Sequence, residues 1–309
     1  MKKAAKAYQG IISATPTPLN AAGDVDAAAV RKLAEHLVSE GADGLCPVGG
    51  TGEYVSLTPQ QRRQMGDAPL EAAAGRVPDI PGVLSPGFGE CVATSREFVA
   101  AGASALLVVT PYYARPTQEG IVDYFKKLSD TVDADLMLYE IPYRTGIALR
   151  PETVDALARQ TRVVAMKACN QDLSVQVRAM ELAGAEISIL TGEENVFPLH
   201  VAMGARGGLL ATSCLFPRIW RELYRLASGG RLDEAKALHA EIMPTVNLLY
   251  REHNPGPIKA ALTMSGFPSG EVIAPLLPIS EETRQRLANA LPATFERERG
   301  LSLPKSTAA

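Results

Sequence analysis

The chain has 309 residues, 46% of them hydrophobic and 21% charged, enough apolar material for a full core. A formal net charge of -3 and a pI near 5.9 argue against a nucleic-acid-binding surface. No apolar run approaches the ~18 residues of a membrane span, and no signal-peptide core follows the basic start Met1-Lys2-Lys3-Ala4-Ala5-Lys6. Cys46, Cys91, Cys169 and Cys214 lie far apart with no CxxC pair, so reduced thiols in a cytoplasmic protein fit better than a disulfide framework or a zinc site. The four histidines show no ligand spacing, and no metal is expected.

Short apolar runs alternate with helix-period segments from the start. Gly10 to Thr15 is a first strand, stopped by Pro16 and Pro18. Asp26 can cap a helix through Ser39, with Val30, Leu33, Leu37 and Val38 on one face. Gly44 to Val48 is a second strand. Thr58 and Pro59 are N-cap and N1 signals for a helix carrying Met65 and Leu70. Ile80 to Leu84 is a third strand, followed by a helix around Val92 to Ala101. Ala105 to Val109 is a fourth, followed by a helix from Gln118 to Asp130.

The second half keeps the rhythm. Leu136 to Tyr139 is a fifth strand, and Pro151 opens a helix to Gln160. Val163-Val164-Ala165-Met166-Lys167 is the sixth, an apolar run closed by a lysine, followed by a helix from Leu173 to Leu182. Ile187 to Leu190 is the seventh, followed by Val196 to Met203, and Gly208 to Ala211 is the eighth. Eight alternating units imply a parallel sheet closed into an α/β (β/α)8 barrel. The competitor, a doubly wound open sheet, lacks its nucleotide loop: no GxGxxG or P-loop follows any strand. From Arg218 only helical periodicity continues, through Leu223-Leu226, Leu238 to Leu249, Ile258 to Met264 and Glu281 to Leu291. The expected division is a barrel over 1–215, a helical extension over 216–296 and a flexible tail over 297–309.

In such a barrel, chemistry sits at the C-terminal ends of the strands. Those ends carry Gly49-Gly50-Thr51-Gly52-Glu53, Thr110-Pro111-Tyr112-Tyr113, Tyr139 with Arg144, Lys167, and Gly192-Glu193-Glu194. Each has an ordinary structural explanation taken singly. The glycine turn can be a tight bend, Tyr139 a core aromatic, Arg144 a surface ion pair, Glu193 and Glu194 helix caps, and Glu53 a local anchor. Together they supply an amine, a phenol to carry protons, a guanidinium fork and a turn whose bare N–H groups and Thr51 hydroxyl suit a carboxylate. An unperturbed lysine is under ~0.1% neutral at pH 7, and an apolar setting favours the neutral, nucleophilic form.

These segments resemble the dihydrodipicolinate synthase and N-acetylneuraminate lyase family of Schiff-base aldolases. GGTGE at 49–53, TPYYARPTQEG at 110–120, LYEIPYRTG at 138–146 and the Lys167 strand stand in the family's order and spacing. The resemblance spans about Gly10 to Leu291. It implies a lyase in which Lys167 forms an imine with pyruvate or a related 2-oxo acid, with Tyr139 as proton shuttle. Thr51 and its backbone neighbours Gly50 and Gly52 would hold the carboxylate, with Leu209 as a further contact. Arg144 would bind a second substrate, and Tyr113 would complete a hydroxyl relay from a neighbouring subunit. A homodimer or homotetramer follows, with no metal or organic cofactor.

The segments after Tyr113 and Tyr139 resemble most the branch of the family that joins pyruvate to aspartate semialdehyde in lysine biosynthesis. That branch usually has a hydroxyl residue where this chain has Gly50. GGTGEYVSLTP instead looks like 5-dehydro-4-deoxyglucarate dehydratases, the alternative reading, with other 2-oxo-acid aldolases beside it. A non-catalytic binding homologue is the remaining class, and the joint survival of lysine, tyrosine and carboxylate turn speaks against it. Pro59 and Arg62 stand where the family's lysine-feedback pocket often carries histidines, so weak or absent feedback is expected.

Overall fold

The computed structural model describes residues 8–302. The first half runs β1 (Gly10–Ala14), α1 (Ala27–Ser39), β2 (Gly44–Cys46), α2 (Pro59–Ala73), β3 (Gly82–Val83), α3 (Phe88–Ala101), β4 (Leu106–Val109) and α4 (Gln118–Thr131). The second runs β5 (Leu136–Glu140), α5 (Pro142–Thr145), α6 (Pro151–Gln160), β6 (Val163–Ala168), α7 (Leu173–Ala183), β7 (Ser188–Thr191), α8 (Phe197–Ala202) and β8 (Gly207–Leu210). Four further helices complete the chain: α9 (Pro217–Ser228), α10 (Leu232–Leu249), α11 (Gly256–Met264) and α12 (Glu281–Arg299).

All paired strands are parallel, in the order β2-β1-β8-β7-β6-β5-β4-β3. Backbone bonds close the ring between its two ends: the Ile80 amide donates to the Leu45 carbonyl at 2.8 Å, and the Gly82 amide to that of Pro47 at 2.9 Å. The result is a (β/α)8 barrel. Its strands are buried along their whole length, as apolar runs enclosed by helices must be.

Local chemistry sets several boundaries. Asp26 caps α1 by accepting from the Ala29 amide at 3.0 Å. Thr58 and Gln61 satisfy each other's backbone N–H groups in a capping box, with Pro59 in the first turn of α2. β2 stops at Cys46 rather than Val48, because Val48 turns the chain with φ 57°. β3 is shorter than the expected 80–84, since Pro81 has no N–H to give a ladder. Pro142 to Thr145 form the single turn α5, which Gly146 ends with φ 72°.

The expected boundary at 215/216 divides the chain but not its core. One apolar cluster joins Ile11, Leu33, Leu37 and Phe197 of the barrel to Trp220, Leu223, Leu238, Ile242 and Leu287 of the later helices. α12 continues to Arg299, so the tail expected from 297 starts inside a helix. Most of that tail, 303–309, and the basic start 1–7 lie outside the described residues. Among the described residues no helix is long and apolar enough to cross a membrane.

Candidate active site

Register brings the two central groups together. Tyr139 on β5 pairs with Lys167 on β6, so both side chains leave the sheet on one face. The Lys167 Nζ lies 4.8 Å from the centroid of the Tyr139 ring. Both are almost covered, at 7% and 5% exposure. Two residues further along each strand, Cys169 and Ile141 fall on the same face and line the same hollow of about 300 Å3. Room for the lysine comes from Gly192 after β7, where a Cβ would stand 2.8 Å from Lys167 Cε and 2.2 Å from Cys169 Sγ. A larger hollow, about 770 Å3, lies by His36, Arg218 and Phe295; none of these residues belongs to a strand end, so it is not the candidate site.

Burial pushes the Tyr139 phenol well above the ordinary tyrosine range, with Cys169 adding and Arg144 opposing, so it holds its proton at neutral pH. Burial likewise lifts the Cys169 thiol, with Lys167 opposing, which leaves the cavity thiol protonated and unreactive. Thr51 is 4% exposed at the floor, and its Oγ1 accepts from Asn254 Nδ2 at 3.0 Å. Arg144, on α5, is exposed at the rim. Gly50 faces the cavity with space to spare: a Cβ there would meet only Arg144 Nη1 and Tyr139 Oη, each at 3.7 Å.

Two expected site residues, Gly52 and Leu209, do not line this hollow, and Tyr113 lies outside that of its own chain. A Cβ on Gly52 would press on the Val48 backbone at 2.6 Å, the close approach that the turn requires. Leu209 is fully buried in the apolar core, and Ala211, two residues on, lines the cavity in its place. Tyr113 is 94% exposed with φ 69° and does not reach the cavity of its own chain. Its neighbour Tyr112 turns inward and donates to the Leu84 carbonyl at 3.1 Å.

Glu193 and Glu194 are not helix caps. Glu194 is buried, and its Oε1 accepts from the Ala211 amide at 3.1 Å, the Thr212 amide at 3.3 Å and the Tyr250 hydroxyl at 2.7 Å. It thereby ties the segment after β7 to the one after β8 and to the end of α10. Glu193 lines the cavity, and burial raises its carboxyl to about 7, with Glu194 adding and Lys167 opposing. On the far face of β5, Glu140 accepts from the Leu149 amide at 2.9 Å and Asn170 Nδ2 at 3.1 Å, which ties the far end of the segment bearing Arg144 back to β5 and to the turn after β6. The turn from α10 to α11 supplies Tyr250, His253 and Asn254 to the cavity wall. The breaker cluster His253-Asn254-Pro255-Gly256-Pro257 marks that turn in the sequence, but nothing local says which end of the barrel it faces. Among the described residues no group of three or more His, Cys, Asp or Glu is placed to hold a metal ion.

The arrangement is an amine beside a protonated phenol, with a hydroxyl on the floor and a guanidinium at the rim. It can form and protonate an imine of a small 2-oxo acid.

The profile of the Dihydrodipicolinate synthetase family matches residues 7–294. The 4-hydroxy-tetrahydrodipicolinate synthase of a Synechococcus species is 37% identical over 285 residues, covering 92% of this chain and 94% of that protein. The dihydrodipicolinate synthase of Acinetobacter baumannii, solved in complex with pyruvate, superposes with a TM-score of 0.89 at 30% identity, over 93% of this chain and 99% of that one. The enzyme of Cyanidioschyzon merolae, solved with lysine bound, gives 0.90 at 28% identity, over 94% and 99%.

Proposed function

The chain belongs to the dihydrodipicolinate synthetase family, and on that footing we propose that it condenses pyruvate with aspartate semialdehyde through an imine on Lys167. The observation that carries this reading is the Lys167 amine set 4.8 Å from the Tyr139 ring in a cavity that Thr51 also lines. The amine adds to the ketone carbon of pyruvate, and the Tyr139 phenol protonates the hydroxyl that leaves as water. The protonated imine then draws electrons, so a proton leaves the adjacent methyl group and an enamine forms. Its carbon bonds to the aldehyde carbon of the acceptor, whose oxygen takes up a proton. The acceptor's own amine then adds to the imine carbon and closes a ring, and the C–N bond to Lys167 breaks, with the lysine leaving as the free amine.

Thr51 and the turn around Gly50 receive the pyruvate carboxylate, and Arg144 at the rim receives that of the acceptor. The electron sink is the covalent imine, so the reading requires no resident cofactor. Tyr113, exposed and in a left-handed backbone conformation, is placed to serve a second copy of the chain, which supports a homodimer or an assembly of dimers. A cytoplasmic setting fits the four unpaired cysteines.

Gly50 favours a second reading. The open space between Tyr139 Oη and Arg144 Nη1 can take a substrate hydroxyl, as a 5-dehydro-4-deoxyglucarate dehydratase would need. Parallel assays decide. The proposal predicts product from pyruvate plus aspartate semialdehyde and none from the sugar acid; the reverse pattern replaces the first reading with the second.

A further inference from the structure

Glu53 and Lys259 form an ion pair wholly inside the protein. Nζ lies 3.0 Å from Oε2, and the side chains are 2% and 1% exposed respectively. The other contacts of the pair are also made. Glu53 Oε1 accepts from the Ile273 amide at 2.7 Å, and Lys259 Nζ donates to the Glu271 carbonyl at 2.5 Å. Glu53 closes the Gly49-Gly50-Thr51-Gly52 turn and holds φ 57°, a conformation that a residue with a Cβ keeps only where its surroundings impose it. Two residues before it, Thr51 Oγ1 accepts from Asn254 Nδ2 at 3.0 Å. Asn254 and Lys259 flank the start of α11, so one short stretch of the chain grips the turn at both Thr51 and Glu53.

The grip has a chemical direction. With the Asn254 N–H on one of its lone pairs, the Thr51 hydroxyl keeps its own hydrogen free to donate to a carboxylate. The buried pair fixes where that donor and the neighbouring turn amides stand. Replacing such a pair by apolar residues of the same shape is often neutral or stabilising, so stability alone does not account for a fully desolvated pair at this turn. We propose that Lys259, acting through Glu53, and Asn254, acting on Thr51, are positioning residues for the carboxylate of the 2-oxo acid. Neither touches the reacting carbon, and the inference rests on the imine reading above.

The test is the rate of borohydride trapping of the full chain at increasing pyruvate, which reads capture and imine formation without an acceptor aldehyde. Three variants are compared with the native protein: Lys259→Met; Glu53→Gln with Lys259→Met, which strands no buried charge; and Asn254→Ala, at a half-buried turn residue that decides the matter if both charge variants fail to fold. A displaced donor weakens capture and leaves the chemical step alone. The half-saturating pyruvate concentration is expected to rise roughly tenfold in folded charge variants and at least about threefold in Asn254→Ala, with maximal trapping within about twofold of native. Unchanged half-saturation in the folded variants, or a fall confined to the maximal rate, overturns the inference. Absence of trapping in the native protein instead overturns the imine reading itself.

Discussion

Lys167 and Lys259 are the two buried lysines among the described residues, and their surroundings differ in every respect that matters. Lys259 faces a carboxylate at 3.0 Å and a backbone carbonyl. Burial pulls its ammonium down and Glu53 pushes it back, so the site is built around a charge. Lys167 makes no ion pair among the described residues; its amine faces a phenol ring and an open cavity. Burial alone therefore does not make a nucleophile. A buried lysine with a dedicated carboxylate is structure, and one facing a proton-holding phenol is chemistry.

The same substitution at both positions separates the two roles most sharply. Lys167→Met is expected to lower turnover at least about a thousandfold while the thermal midpoint holds, since no partner is stranded. Lys259→Met should destabilise the fold by about 3–5 kcal/mol in a denaturant titration, because Glu53 is left buried and alone. Equal thermal losses in both would dissolve the distinction. Next in size is Tyr139→Phe, which keeps the ring but removes the proton carrier; kcat should fall roughly a hundredfold or more with near-native stability.

A buried carboxyl without a hydrogen-bond partner sharpens the stability side. Asp79 is 1% exposed, neither carboxyl oxygen has a partner, and burial raises its carboxyl well above the ordinary range. The folded state thus keeps a proton that the unfolded chain releases. The stability linked to that proton is full below the unfolded pKa of about 3.8 and declines as pH climbs towards the raised folded value. Asp79→Val should stabilise by roughly 1–3 kcal/mol at neutral pH and less at pH 4, read as melting temperature against pH. A loss of stability at both pH values would mean the carboxyl is supported. Smaller still, Glu193, with its carboxyl near 7, should give the pH–rate profile an inflection there that Glu193→Gln removes. Feedback should be the weakest effect of all. The Arg62 guanidinium pairs with Glu90 at 2.8 Å and covers the Tyr54 ring at 4.4 Å, so a free lysine ammonium finds those partners taken. Added lysine at millimolar concentration should leave the rate unchanged.

The contrast between the two lysines also explains what could be read from the residues alone. Val163 to Lys167 is legible because a strand covered on both faces must be a continuous apolar run, and eight such runs alternating with helices leave few architectures. The capping box at Thr58 and Gln61 is legible because its partners are three residues apart. Lys259 carries no such mark: it sits in an ordinary helical period, and its partner Glu53 is 206 residues away. Glu194 reads as a helix cap by position, but its partners Ala211 and Tyr250 arrive from other elements. Period and spacing give a strand end but not which of its neighbours reaches the cavity: Ala211 lines it and Leu209 does not.

The most direct test of the central distinction is where a trapped substrate ends up. The native protein is reduced with borohydride in the presence of pyruvate, digested and mapped by peptide mass. One stoichiometric adduct is expected on the peptide carrying Lys167 and none on that carrying Lys259. An adduct on Lys259, or none on Lys167, would contradict that distinction.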